Sequence, residues 1–311
     1  MELRRLIKNE YFEAIATLAI ISMIILGFYT SVQIALGTEN FALAVASGSM
    51  LPTLNIGDLI IVQRADPAQI RADRLTGDIL VFRNPWNPNE LIVHRAIKIE
   101  RKGNHFLVTT LGDNCEGDRD QFSPWNSSLL IGRVIGRIPY LGVLSLIIRS
   151  NRALYTLFIA VLVILVIALI FTTIFEAKSG DSEEIEEKAS SRKLEIIEFI
   201  AVNALLLAFF IFSLWGSFSF QKPDTGERMA ILGMYQDLGF HKKFCAEAIL
   251  HYSFFTYRID CLVCDGIRYG VSTFAWHQLI FLILVAYDIW KIYTFLKIKR
   301  NRIDNSESEV L

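Results

Sequence analysis

The sequence predicts a membrane-anchored, mainly β domain combined with transmembrane α-helices. Three observations predict it. Hydrophobic residues make up 53% of the 311-residue chain, and they gather in long runs near 14–36, 153–175, 199–216 and 273–296. Between the first two runs, residues 41–148 break into short stretches rich in β-branched residues: "DLIIVQR", "GDILVFR", "ELIVHRAIKIER", "HFLVTTLGD" and "SLLIGRVIGRI". Gly, Pro, Asn and Asp punctuate those stretches, as turns between short strands require.

Residues 1–36 open on the basic "MELRRLIKNE" and continue into the first apolar run. A bilayer-crossing helix needs about 20 mostly apolar residues. The run exceeds the roughly 7–15 residues of a cleaved signal's apolar region, so it reads as a retained anchor. Residues 37–148 form the β domain. Residues 149–176 hold the second span, with no charge from Leu154 to Phe175. A polar linker, 177–193, leads to a third span over 194–216 that begins beside Glu195 and Glu198. A cysteine-containing segment, 217–271, precedes the last span and tail, 272–311. In that span Asp288 and Lys291 can pair, or the lysine can snorkel.

Basic residues orient the spans. The start, "SRK" before the third span and the tail "KIKRNR" place those ends in the cytoplasm, so 37–148 and 217–271 both face outward. Arg149 and Arg152 oppose this orientation but are outnumbered. The net charge of −1 and the lack of a basic stripe argue against nucleic-acid binding.

The β domain carries a candidate hydrolytic set. Ser47 and Ser49 lie just after the anchor, His94 sits in "LIVHRAI", and Asp113, Asp118 and Asp120 share the turn "GDNCEGDRD". A hydroxyl is a poor nucleophile until an imidazole within hydrogen-bond reach takes its proton. A carboxylate then fixes the tautomer of that imidazole. By composition alone this set is weak, because most β domains hold a Ser, a His and several Asp.

Order strengthens it. "SGSMLPTL" resembles the nucleophile box of type I signal peptidases, the membrane-bound serine proteases that remove leader peptides from exported proteins. "GDLIIV", "TGDILVFRNP", "LIVHRAI", "LGDNCEGDRD" and "IGRVIGRIPYLG" resemble that family's further boxes in the same order. The resemblance spans about residues 12–148. Histidine rather than lysine at the base position is similar to the archaeal and endoplasmic-reticulum branch.

The resemblance implies a coiled antiparallel β fold with its site at the bilayer surface. It implies Ser49 as nucleophile, His94 as base, and the Ser49 backbone N–H with the Ser47 hydroxyl as oxyanion donors. The acid stays open. Bacterial spacing in the box points to Asp120 and archaeal spacing nearer Asp118, while Asp113 matches the first Asp of the box in a supporting role. Arg119 splits the aspartate pair, and Cys115 stands where the family usually has a second Asn.

The implied activity is serine endopeptidase cleavage of signal peptides from exported proteins, with no cofactor. Implied partners are signal-peptide-bearing preproteins, membrane lipids and the export channel. The implied location is the cell membrane with the β domain extracytoplasmic, or the endoplasmic-reticulum membrane in a eukaryote. Substrate strands would add to an exposed sheet edge.

Two rival readings stand beside this one. A non-catalytic receptor or scaffold on a peptidase-like fold would need no intact Ser49/His94/Asp set. A thiol or metal protein would use Cys115, Cys245, Cys261 and Cys264, all on the outward side. Their even number in an oxidising space suggests disulfides, of which four cysteines allow 3 connectivities. His241, Cys245, His251, Cys261 and Cys264 match no standard zinc spacing, and no metal site is assigned. The stretch 228–252 reads as one or two short helices, with His241 and Cys245 on one helix face.

Overall fold

The computed structural model describes residues 10–150, 155–157, 159–161, 163–164, 187–221 and 226–308. Helix α1 (Glu10–Leu36) enters from the amino-terminal side. Gly37 ends it at φ +68°, donating to the Gln33 carbonyl at 2.8 Å. This left-handed residue after the last turn is where glycine costs least.

Strands β1 (Ala42–Ala44), β2 (Leu59–Gln63), β3 (Ile79–Arg83), β4 (Leu91–Lys102), β5 (His105–Leu111), β6 (Trp125–Asn126) and β7 (Leu130–Ile138) follow. β2, β3, β4, β5 and β7 occupy the β-branched stretches of the sequence. Helix α2 (Leu141–Ser150) begins inside the last β-domain stretch, earlier than the sequence suggests. Its Val143 and Leu146 are buried, and Leu146 packs with Ile56 and Met229. Those apolar residues recur at helical spacing and cover the end of the sheet.

β7 is the hub. It pairs antiparallel with β2 and with β3, and the chain of pairing continues β3–β4–β5–β6. Bulges interrupt the register at Ile61/Val62, Val81/Phe82 and Ala96/Lys98. Such extra residues sharpen local twist and let one sheet coil around two cores. One core gathers Met50, Leu54, Ile60, Val62, Ile79 and Val81. The other gathers Leu80, Phe82, Ala96, Val108 and Trp125. Alternate residues of β3 point to opposite cores, as the two-residue period of a strand demands.

Helix α3 (Glu187–Trp215) is followed by the hairpin β8 (Ser217–Gln221) and β9 (Arg228–Leu232), helix α4 (Met234–His241), β10 (Glu247–Ser253), β11 (Thr256–Val263), β12 (Gly266–Arg268), β13 (Thr273–Phe274) and helix α5 (Trp276–Ser308). The expectation of one or two helices over 228–252 is corrected. Only Met234–His241 is helical, because the residues on either side pair with β8 and β11. Cys245 therefore lies beyond the helix and not on a face shared with His241.

Beyond the separate β8–β9 hairpin, the carboxy-terminal strands do not form a sheet of their own. β13 pairs parallel with β7 through Thr273 and Arg137, joining β10–β13 to the amino-terminal strands in one 11-stranded sheet. Val271 enters the Met50 core. A buried ion cluster seals the junction. Arg137 Nη1 donates to Asp58 Oδ2 at 2.7 Å and Nη2 to Asp237 Oδ2, while Asn55 Nδ2 donates to Asp237 Oδ1 at 3.0 Å. Burial works against charge on both acids. On Asp237 the Arg137 guanidinium and His241 outweigh it and hold the carboxyl well below its usual value, whereas on Asp58 burial prevails and raises it.

Three helical segments among the described residues are long and apolar enough to cross a membrane: Ala19–Leu36, Glu195–Trp215 and Trp276–Lys297. The expected span over 149–176 lies largely outside the described residues. Lys291 does not pair with Asp288. Its Nζ reaches Glu198 Oε1 on α3 at 3.4 Å and lies 5.3 Å from the Trp290 ring centroid.

Candidate active site

His94 is held on β4 opposite Leu80 of β3, where it is buried and stacks on Phe122 at 6.4 Å. Its Nδ1 lies 2.7 Å from Asp120 Oδ2. Asp120 is itself buried and fixed, accepting from Thr110 Oγ1 at 2.8 Å while its own N–H donates to the Thr110 carbonyl at 2.8 Å. Trp125 Nε1 in turn donates to Thr110 Oγ1 at 3.1 Å. A carboxylate accepts only, so in a neutral imidazole paired with it the proton sits on Nδ1 and Nε2 keeps its lone pair.

Ser49 sits in the 3₁₀ turn Gly48–Met50, pinned by its buried neighbour Met50. The box around Asp113 clamps this turn. Asn114 N–H donates to the Ser49 carbonyl at 2.9 Å and Asn114 Nδ2 to the Gly48 carbonyl at 3.1 Å. Thr53 Oγ1 donates to Asp113 Oδ2 at 2.5 Å.

Gly112 is the joint between the serine and the histidine. A Cβ there would lie 2.6 Å from the Ser49 carbonyl oxygen and 3.0 Å from His94 Nε2. Both groups thus converge on one point, and only a residue without a side chain fits between them. Among the described residues Ser49 Oγ has no hydrogen-bond partner. Catalytic hydrogen bonds often tighten only when substrate is present.

The other residues singled out in the sequence distribute as follows. Asp113 does not touch His94. Its carboxylate takes a bidentate bond from Arg95, Nε to Oδ1 at 2.8 Å and Nη2 to Oδ2 at 2.7 Å. Burial opposes its charge, but Arg95, Arg268 and Thr53 outweigh that and hold the carboxyl below its usual value. Asp118 as the histidine's partner is corrected. Its side chain is fully exposed and pairs with Arg74 at 3.4 Å, because the turn carries it outward two residues before Asp120 turns in.

Ser47 is exposed and caps no N–H of the 3₁₀ turn. Cys245 and Cys261 form a disulfide, while Cys115 and Cys264 are free and exposed. Among the described residues no cluster of His, Cys, Asp and Glu is arranged to hold a metal. His251 pairs with Asp260 at 3.1 Å, and the buried His241 Nδ1 bonds the Asp237 carbonyl at 2.8 Å. Trp125 is core and Trp86 is exposed.

Sequence reasoning missed Arg95, Thr110, Gly112 and Phe122. An arginine inside an apolar strand signals a buried acidic partner, since an unpaired buried charge is costly. The other three carry no local signal.

Residues 9–100 match the family "Signal peptidase, peptidase S26". The chain is 30% identical over 155 residues to the signal peptidase complex catalytic subunit SEC11C of Homo sapiens, covering 48% of this chain and 78% of that protein. The chain belongs to the signal peptidase family. The same figures hold for SEC11C of Canis lupus familiaris. The catalytic subunit sec11 of Dictyostelium discoideum is 27% identical over 168 residues, 52% of this chain and 90% of that protein. As a signal peptidase it is a serine-type hydrolase whose substrates are signal-peptide-bearing preproteins, and its apolar helices make it a membrane protein. The non-catalytic scaffold reading gives way to an enzyme.

Proposed function

We propose that Ser49, His94 and Asp120 carry the signal-peptidase reaction. The observation that supports this most is the buried Asp120–His94 pair, whose Nε2 and the Ser49 backbone carbonyl both border Gly112. His94 Nε2 takes the Ser49 Oγ proton as Oγ bonds the scissile carbonyl carbon. The Ser49 backbone N–H and the Ser47 hydroxyl donate to the resulting oxyanion, a type of interaction worth about 10²–10³ in rate per donor. The imidazolium gives its proton to the leaving amine as the C–N bond breaks. Water, deprotonated by His94, then clears the acyl group from Ser49. Asp113 supports the turn and stays outside the proton path.

Residues 37–148 and 217–271 face the same, extracytoplasmic side in this reading. The β7–β13 pairing and the Cys245–Cys261 disulfide support it, since disulfides persist in oxidising spaces. The linker 177–193 and both ends lie in the cytoplasm. His94 at the base position favours the archaeal and endoplasmic-reticulum branch, so the membrane is that of the reticulum in a eukaryote and the cell membrane otherwise. Lipids at the site's rim and the export channel are the expected neighbours. A substrate strand adds beside Ser49, close to where α1 leaves the bilayer, which brings the cleavage point just outside the leader's apolar core.

Cleavage of a leader-bearing preprotein in membranes tests the proposal. Ser49→Ala and His94→Ala should each lose about 10²–10⁴-fold in rate. Wild-type rates in either variant would end it.

A further inference from the structure

The carboxy-terminal strands reach the candidate site through one short segment. Arg268 Nη1 donates to the Asp113 carbonyl at 2.9 Å. The next residue, Tyr269, accepts from Arg95 Nη2 at 3.0 Å, and its N–H donates to the Leu75 carbonyl at 2.9 Å. Gly270 N–H is tied back to Asp260 Oδ1 on β11 at 2.9 Å. Arg268 and Tyr269 thus bolt the second half of the chain to Leu75 and to two places at the site, while Gly270 ties the segment back to β11. One of the two places is the strand residue beside His94, and the other is the loop that holds Ser49.

The rest of the path is direct contact. Asp113 receives both Arg95 and Arg268, and the peptide following it carries the Asn114 N–H that bonds the Ser49 carbonyl. Arg268 is half-buried and its guanidinium meets a main-chain oxygen, so the bond fixes backbone rather than a mobile surface chain. The family match covers residues 9–100, so Arg268 lies outside it.

We propose that Arg268 is a positioning residue for signal-peptide cleavage. Through the Asp113 carbonyl it sets the loop 112–114, and through that loop the distance between Ser49 and His94. The inference rests on the Ser49/His94 reading. In a site of this kind a displacement of about 1 Å costs about 10²-fold in rate, because attack needs near-contact geometry. Arg268 touches neither substrate nor reacting atoms, so its loss should appear in turnover rather than in substrate binding.

The test is steady-state cleavage of a leader-bearing preprotein by the full chain in membranes, comparing Arg268→Met, Arg268→Lys and Arg258→Ala. Arg258 lies on β11, pairs with Asp260 and sits 5.1 Å from the Tyr269 ring centroid, so it reports loosening of the segment that carries Arg268 without loss of the Arg268–Asp113 bond itself. Arg268→Met should lower kcat about 10–100-fold with KM within about twofold, and Arg268→Lys should recover much of it. Arg258→Ala should stay near wild type. Should Arg268→Met fail to accumulate, Arg268→Gln takes its place with the same expectation.

A kcat within about twofold of wild type, a loss carried by KM, or an equal loss in Arg258→Ala overturns the proposal. Failure of both neutral variants to accumulate does so too, in favour of a purely structural role. Activity surviving in Ser49→Ala would instead sink the catalytic reading, and the two failures are therefore distinguishable.

Discussion

His94 Nδ1 and Asp120 Oδ2 meet at 2.7 Å inside the protein, whereas Asp118, two residues earlier, faces solvent. The carboxylate that orients the imidazole is therefore chosen by the turn. Asp120→Asn would offer an amide where the acid stands, and the imidazole tautomer that frees Nε2 would lose its anchor. Cleavage should fall about 10²–10⁴-fold, the range that a general base supplies. Asp118→Asn should stay within about twofold, because an exposed ion pair contributes little. Rates for the two variants, measured side by side on one preprotein, check this.

Gly112→Ala places a methyl group 2.6 Å from the Ser49 carbonyl and 2.7 Å from Cys115 Sγ. The cysteine can swing aside, but the Ser49 backbone cannot. Overpacking of this kind costs about 1–3 kcal/mol, and it falls on the turn that carries the serine. The expected outcome is a modest drop in melting temperature with a rate loss of about 10-fold or more. Wild-type turnover in Gly112→Ala would mean that the Ser49–His94 spacing tolerates displacement.

The strands and the order of the boxes were legible because their signals are local. β-branched runs bounded by Gly, Asn and Pro fall on β2, β3, β4, β5 and β7. Asp120 over Asp118 was not legible. What turns Asp120 inward is its N–H bond to Thr110 on β5, a contact that no spacing rule encodes. The joining of the carboxy-terminal strands was hidden for a similar reason. It runs through the two-residue strand β13 and through Arg137–Asp237, groups one hundred positions apart. The helical expectation over 228–252 held for Met234–His241 and failed on either side, where pairing with β8 and β11 overrides local periodicity.

Acid should weaken the fold partly through Asp113. Its folded carboxyl titrates below 3.8, because Arg95 and its partners outweigh the burial that opposes charge. A depressed folded value contributes stability that is present above the unfolded value and lost as pH falls through the folded one. Asp237 acts in the same direction, while the raised Asp58 takes up its proton first and opposes them. Thermal midpoints of the detergent-solubilised protein should fall from about pH 5 to about pH 2. Asp113→Asn should start lower and fall less steeply over that window. Parallel curves for the two proteins would exclude Asp113 from the acid response.

Arg137 offers the sharpest test of how the two halves are joined. Its guanidinium is buried between Asp58, from the amino-terminal half, and Asp237, from the carboxy-terminal half, and its Nε donates to Thr273 Oγ1 at 2.8 Å. Arg137→Met would leave two buried carboxylates facing each other with no cation between them. Breaking such a pair by removing one partner costs about 3–5 kcal/mol, mostly as the penalty of the charges left behind. Adding Asp58→Asn and Asp237→Asn removes those charges, so the triple variant should melt above Arg137→Met despite carrying more substitutions. That recovery would show the cost to be electrostatic. A triple variant melting lower still would assign the role of Arg137 to hydrogen bonding across the β7–β13 seam, because the amides could not replace its donors to Thr273.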